Sequence, residues 1–221
     1  MKKALWWAQA GLALILTLAI IGISVVGTLA FRPLYYADME KLHIAEESGY
    51  SKEQIRENYD ALIAYNLAWE DGDLSFPSLP MSESGKIHFE EVKEIFDLFK
   101  YLAVSGSALG LVGIVVMARL REYRYLKMTA VVSCTLPVVL ALFVAACWEQ
   151  VFVMFHKLFF NNDYWLFDPT TDPVITILPD EFFMHCALMI FGGVLLGAVV
   201  CAVTYTMLKY REKRMSQIVS E

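Results

Sequence analysis

Four long apolar runs alternate with polar segments along the chain. The first, residues 5–31, holds no charged side chain and follows Lys2 and Lys3. It exceeds the ~7–15-residue apolar region of a cleavable signal peptide. It also supplies the ~20 residues a membrane-crossing helix needs, so it reads as a retained span. The second run, residues 101–118, begins after Lys100 and carries Ser105, Gly106, Ser107, Ala108, Gly110 and Gly113, small residues suited to close helix contact in lipid. The third, residues 128–155, continues apolar to 160 past Glu149 and His156, and Pro137 predicts a kink in it. The fourth, residues 185–208, carries Gly192, Gly193 and Gly197 on its packing side.

The polar segments between them are 32–100 and 157–183 on one side. Segment 32–100 is too long for a bare connector and has a helical period of its own. Ser51-x-x-Gln54 has the form of a capping box. Ile55, Tyr59, Leu62 and Ile63 then predict an amphipathic helix to about Trp69. Tyr35, Tyr36, Met39 and Leu42 predict a weaker helix across 34–47. The stretch 70–85, with Gly72, Pro77 and Pro80, reads as loop, with room for a short strand pair at 74–76 and 86–89. A further helix is expected from His88 to about Phe99, running into the second span.

Composition agrees with a membrane protein. Hydrophobic residues make up 57% of the chain and the mean hydropathy is +0.50, too apolar for an ordinary soluble domain. Basic residues fix the expected orientation. Lys2 and Lys3 precede the first span, Arg119, Arg121, Arg124 and Lys127 join the second to the third, and Lys209, Arg211, Lys213 and Arg214 follow the fourth. All three sets fall on one side, the cytoplasm. The expectation is an all-α membrane protein: one membrane domain over 1–221, a four-helix transmembrane bundle with a mostly helical extracytoplasmic cap formed by 32–100 and 157–183. The cap is acidic, with Glu46, Glu47, Glu53, Glu57, Asp60, Glu70, Asp71 and Asp73. A net charge of −6 without a basic patch gives no sign of nucleic-acid binding. Cys134, Cys147, Cys186 and Cys201 all lie in apolar runs, so no disulfide framework is expected.

An ionisable group at membrane depth is a functional candidate. On a helix, Glu149, Phe152 and His156 share a face, so Glu149 is one possible orienting group for the imidazole. The alternative is an interfacial histidine satisfied by a backbone carbonyl. His88 opens a helix and precedes Glu90 and Glu91. His185 reads as an interface anchor and His43 as a solvated residue. No HxxxH pair is present, and His88, His156 and Asp168 would meet only by tertiary folding, so no metal is expected. A GxSxG nucleophile elbow is absent too. What remains is histidine acid–base chemistry without a covalent intermediate.

The motifs at these residues resemble the bacterial lipoprotein intramolecular transacylases. The resemblance covers essentially the whole chain. Its carriers are Glu83-x4-His88-x-x-Glu91-Val92-Lys93 and Phe155-His156-x-x-Phe159-Phe160, followed by Trp165-x-x-Asp168-Pro169 and Leu178-Pro179-x-x-Phe182-Phe183. Glu91 stands where the family motif has Asp, and Phe89 follows His88 in place of Met. The resemblance implies an acyltransferase of the bacterial cell membrane acting on a diacylated lipoprotein. It would move the sn-2 acyl chain to the α-amine of the N-terminal cysteine, with His88 and His156 as the catalytic pair. Asn162, Trp165, Asp168 and Glu91 are the expected substrate-binding residues, and no cofactor is expected. The rival readings are a four-span scaffold or accessory protein, and a lipid ester hydrolase using the same histidines.

Overall fold

The computed structural model describes residues 2–70 and 72–220; Asp71 of the acidic set lies outside the described residues. The helices are α1 (Lys2–Ala30), α2 (Arg32–Lys41), α3 (Ile44–Ser48), α4 (Lys52–Leu67), α5 (Glu83–Arg119), α6 (Arg124–Ala146), α7 (Trp148–Phe159) and α8 (Asp180–Ser220), with a short 3-10 helix at Pro173–Ile177. Among the described residues four helices are long and apolar enough to cross a membrane: α1, α5, α6 and α8. The class found is the expected one, an all-α membrane protein of four spans.

Three local expectations change. No strand forms among the described residues, and 86–89 belongs to α5, one continuous helix from Glu83. At ~1.5 Å per residue this helix is ~55 Å long, well beyond the ~30 Å of a bilayer core. Only its apolar part, 101–118, needs to lie in lipid, and His88 is on the polar forepart. The weak helix expected across 34–47 is split into α2 and α3 by His43, which takes a left-handed conformation with φ 51°. The third apolar run is also split. Pro137 sits inside α6 without ending it, whereas Cys147 leaves the helical region at φ −143° and ψ 47°. The 23 residues of α6 already suffice for a crossing, and α7 begins after the break as a separate helix.

Backbone contacts divide the chain into two units. One comprises residues up to Ser24, Lys100–Ala141, and residues from Ile190 on. Here the glycines of α5 meet α1: a Cβ on Gly110 would come within 2.7 Å of Leu16, and one on Gly113 within 2.4 Å of Leu12. Gly197 of α8 approaches Ile20 in the same way, while Gly192 faces open space. These contacts are those expected of small residues in lipid, where helices associate by close packing. Gln9, buried on α1, ties the α5–α6 turn by accepting from the Tyr125 amide at 3.2 Å and donating to Glu122 at 3.3 Å.

The second unit comprises Val25–Phe99 and Leu142–Met189. Its core is aromatic and aliphatic: Tyr35 stacks on Tyr59 with ring centroids 3.7 Å apart, and the Tyr35 hydroxyl donates to the Ile177 carbonyl at 2.7 Å. Ser51 and Gln54 form the expected capping box at the start of α4. At the other end of α4, the buried Lys93 ammonium donates to the Ala68 carbonyl at 2.7 Å, a cation at the negative end of a helix. His185, read as an interface anchor, pairs through Nδ1 with buried Asp38 at 2.7 Å. All four cysteines are free.

Candidate functional site

His88 and His156 lie within the second unit, with ring centroids 6.0 Å apart and planes inclined by 31°. Residues 68 apart in sequence are brought together by the start of α5 and the last turns of α7. Both rings are buried.

The position of His88 is set at the start of α5. The Asp172 carboxylate accepts from the Ser82 amide at 2.7 Å and from the Thr171 hydroxyl at 2.8 Å. The Ser82 hydroxyl accepts from the Gly85 amide at 3.0 Å, satisfying one of the open N–H groups of the first turn. Side chains from the loop after α7 therefore clamp the beginning of the helix that carries His88. Sequence reasoning missed Asp172. It lies in a Thr-Thr-Asp-Pro run with the look of an ordinary turn, and its partner is 90 residues away.

On α7, His156 Nδ1 lies 2.8 Å from the Phe152 carbonyl. A carbonyl only accepts, so Nδ1 carries the proton and Nε2 of the neutral ring keeps its lone pair. The orienting group is thus the backbone of Phe152 rather than Glu149. Burial lowers the pKa of His156, with the Phe152 carbonyl and the Asp180 carboxylate pulling it back up. Burial pushes His88 down to about 4, and the neighbouring His156 adds to this. Both imidazoles are neutral at pH 7.

Aromatic rings enclose the pair. Trp165 stacks on His156 at 4.7 Å, and Phe152 lies 4.2 Å from the same ring. Phe160 is 4.8 Å and Phe167 5.3 Å from His88. This apolar lining is the physical source of the lowered pKa values, since it disfavours the charged ring. Several polar atoms on the elements that carry these rings are buried without a hydrogen-bond partner among the described residues: His88 Nδ1, Glu91 Oε2, Trp148 Nε1 and Trp165 Nε1. Such atoms are uncommon in folded proteins and need a reason.

Of the other expected site residues, Asn162 and Glu91 come together, the amide nitrogen donating to Glu91 Oε1 at 2.8 Å. Trp165 reaches His156 as described. Asp168 is exposed, and its carboxylate accepts from the backbone and hydroxyl of Thr170 at 2.9 and 2.8 Å, which organises its own turn. Among the described residues no group of three or more His, Cys, Asp or Glu side chains is arranged to hold a metal ion.

Known proteins share this architecture. A family model described as lipoprotein intramolecular transacylase Lit matches residues 10–183. The chain is similar to the solved structure of the membrane integral lipoprotein intramolecular transacylase Lit from Bacillus cereus, at 32% identity over 97% of this chain and 100% of that one, with a TM-score of 0.93. Two further structures of that Bacillus cereus protein each carry a substitution of one histidine. The arginine form matches at 32% identity over 97% of this chain and 99% of that chain (TM-score 0.85). The alanine form matches at 33% identity over 95% and 94% (TM-score 0.84). A comparison with curated protein sequences finds no match. The family suggested by the histidine motifs is therefore the one found, and the scaffold reading gives way to an enzyme. The chain belongs to the lipoprotein intramolecular transacylase family and is a multi-pass membrane acyltransferase.

Proposed function

We propose that the chain moves the sn-2 acyl group of an S-diacylglyceryl-cysteine lipoprotein to the α-amine of the same cysteine, using His156 and His88 in acid–base roles. The carrying observation is a pair of buried imidazoles with ring centroids 6.0 Å apart, one of them with its Nε2 lone pair free of the helix.

An α-amine has a pKa near ~7.7–8.0, within reach of a neutral imidazole. His156 Nε2 takes the amine proton as the nitrogen adds to the ester carbonyl. The tetrahedral adduct collapses, the C–O bond to the sn-2 glyceryl oxygen breaks, and the proton passes from His156 to that oxygen. An N–C bond replaces a C–O bond, and the products are an amide and a free hydroxyl on one molecule. His88 donates to the developing oxyanion or serves as the second member of a proton relay. Nucleophile and ester are parts of one substrate, so folding them together against the aromatic lining supplies proximity without a second reactant. An amide is more stable than an ester, so the transfer runs downhill without an energy-carrying cofactor. Glu91, Asn162, Trp165 and Asp168 are the proposed substrate-binding residues.

The basic residues near the span ends support cytoplasmic termini for a single membrane domain, with the histidines on the extracytoplasmic side. Mass spectrometry of the lipoprotein N-terminus tests the reaction. Product with an N-acyl group and a lyso glyceryl group, at unchanged total mass, is expected. Release of free fatty acid in its place would make the enzyme a lipid ester hydrolase.

A further inference from the structure

We infer that Glu91, held by Asn162, is the recognition site for the positively charged α-amino group of the substrate. The inference rests on the transacylation reading above and names the chemistry of one of its binding contacts.

Glu91 follows His88 by three residues on α5, less than one turn, so both side chains leave the same face of the helix. Asn162 donates to Glu91 Oε1 at 2.8 Å, and its own carbonyl oxygen accepts from the Tyr164 amide at 3.0 Å. That second bond fixes which end of the amide faces the carboxylate. Glu91 Oε2 is buried and has no hydrogen-bond partner among the described residues. The ion pairs formed by the described lysines, arginines and histidines do not include Glu91. Lys93, the basic residue closest to it in sequence, is engaged with the Tyr65 and Ala68 carbonyls and with Asp97.

A carboxylate oxygen shut away from water without a donor is unfavourable until a donor arrives, and a cationic donor offsets most. The substrate brings one cation to this place, the α-ammonium, which is largely protonated at neutral pH. A primary ammonium offers three N–H donors. One of them on Glu91 Oε2 holds the nitrogen beside His88; that proton passes to the carboxylate, and later to solvent, to leave the neutral amine, whose next N–H faces the imidazoles for removal as the nitrogen adds to the ester. Ethanolamine headgroups carry a primary ammonium as well, so the experiment includes them.

The test uses the purified full-length chain and a cysteine lipopeptide whose two glyceryl esters are replaced by ethers, so that no acyl group can move. Its affinity at pH 7 is compared with that of the analogue lacking the α-amine, by isothermal titration in detergent. The amine form is expected to bind ~10–100-fold more tightly, the range for one hydrogen bond to a charged group. That ratio should fall to within about twofold in Glu91→Gln and shrink in Asn162→Ala. Raising the pH above the amine pKa should shrink it in the wild type. Thermal melting of each variant guards against misfolding, and the wild-type comparison stands without any variant. Equal affinity for both analogues, or an undiminished ratio in Glu91→Gln, would overturn the inference. Competition by phosphatidylethanolamine as effective as the lipopeptide would overturn it also, in favour of a headgroup site. Failure of both analogues to bind would sink the transacylation reading beneath it.

Discussion

Gly85 and Asp172 touch so closely that a Cβ on the glycine would lie 2.3 Å from the aspartate Oδ1. Real atoms do not approach so closely, so Gly85→Ala must push the carboxylate off the Ser82 amide. The expected cost is about 1–3 kcal/mol of stability, the range for overpacking a tight site. Turnover should fall further than stability explains, because the displaced loop carries Phe167, which packs on His88. Thermal melting alongside the mass-spectrometric assay measures both. Asp172→Asn, which keeps an acceptor oxygen, should be milder than Asp172→Ala.

His156→Ala and His88→Ala should each reduce turnover at least ~100-fold, the lower end for removing a general acid or base. Circular dichroism and membrane insertion should be unchanged. Wild-type conversion in both variants would end the acid–base assignment.

The pH dependence follows from neutral, buried rings. His88 is pushed to about 4 and His156 is also lowered, so the histidine pair should remain deprotonated below the usual imidazole range. The acidic limb of kcat should therefore lie below pH ~6.5, the ordinary histidine value. Stability carries the same sign. Between the unfolded pKa of ~6.5 and the folded value, the unfolded chain binds more protons, so stability rises with pH and is lost as the pH falls through that window. Melting temperatures measured from pH 7 down to 4 should decline, and His88→Phe should flatten the decline.

Ser51→Ala provides a contrast. It removes one arm of the capping box on α4 and should cost about 1 kcal/mol of stability. No atom of Ser51 contacts the histidine lining in the bonds it makes, so kcat should stay within twofold of wild type on the scale of ~1 kcal/mol effects confined to folding. A matching loss of turnover would show that α4 is coupled to the chemistry.

Where a pattern repeats within a few residues, the sequence foretold the structure well. Apolar length marked the four spans, small residues marked the face of α5 that meets α1, and Ser51 with Gln54 marked the start of α4. The histidine pair could be named because ionisable groups stand out against apolar surroundings, and because the flanking motifs resembled a family. What stayed hidden was of two kinds. The break at Cys147 falls inside a stretch read as one run, in which Glu149 and Gln150 pass for interruptions of a single helix rather than for the first turn of a new one. Excess length was the available hint, since 33 residues from 128 to 160 are ~50 Å of helix, too much for one crossing. The clamp of Asp172 on Ser82 and the pairing of Asp38 with His185 join residues far apart in the chain, and no local period encodes them.

The bond from His156 Nδ1 to the Phe152 carbonyl has a mechanical outcome. A ring tethered to its own helix cannot swivel to pass a proton from one nitrogen to the other. In the proposed reaction a single lone pair must both collect the hydrogen and hand it on, so donor and recipient have to sit within one small arc around it. A substrate whose amine and ester oxygen belong to the same short loop of atoms meets that demand; two separate molecules would have to exchange places midway.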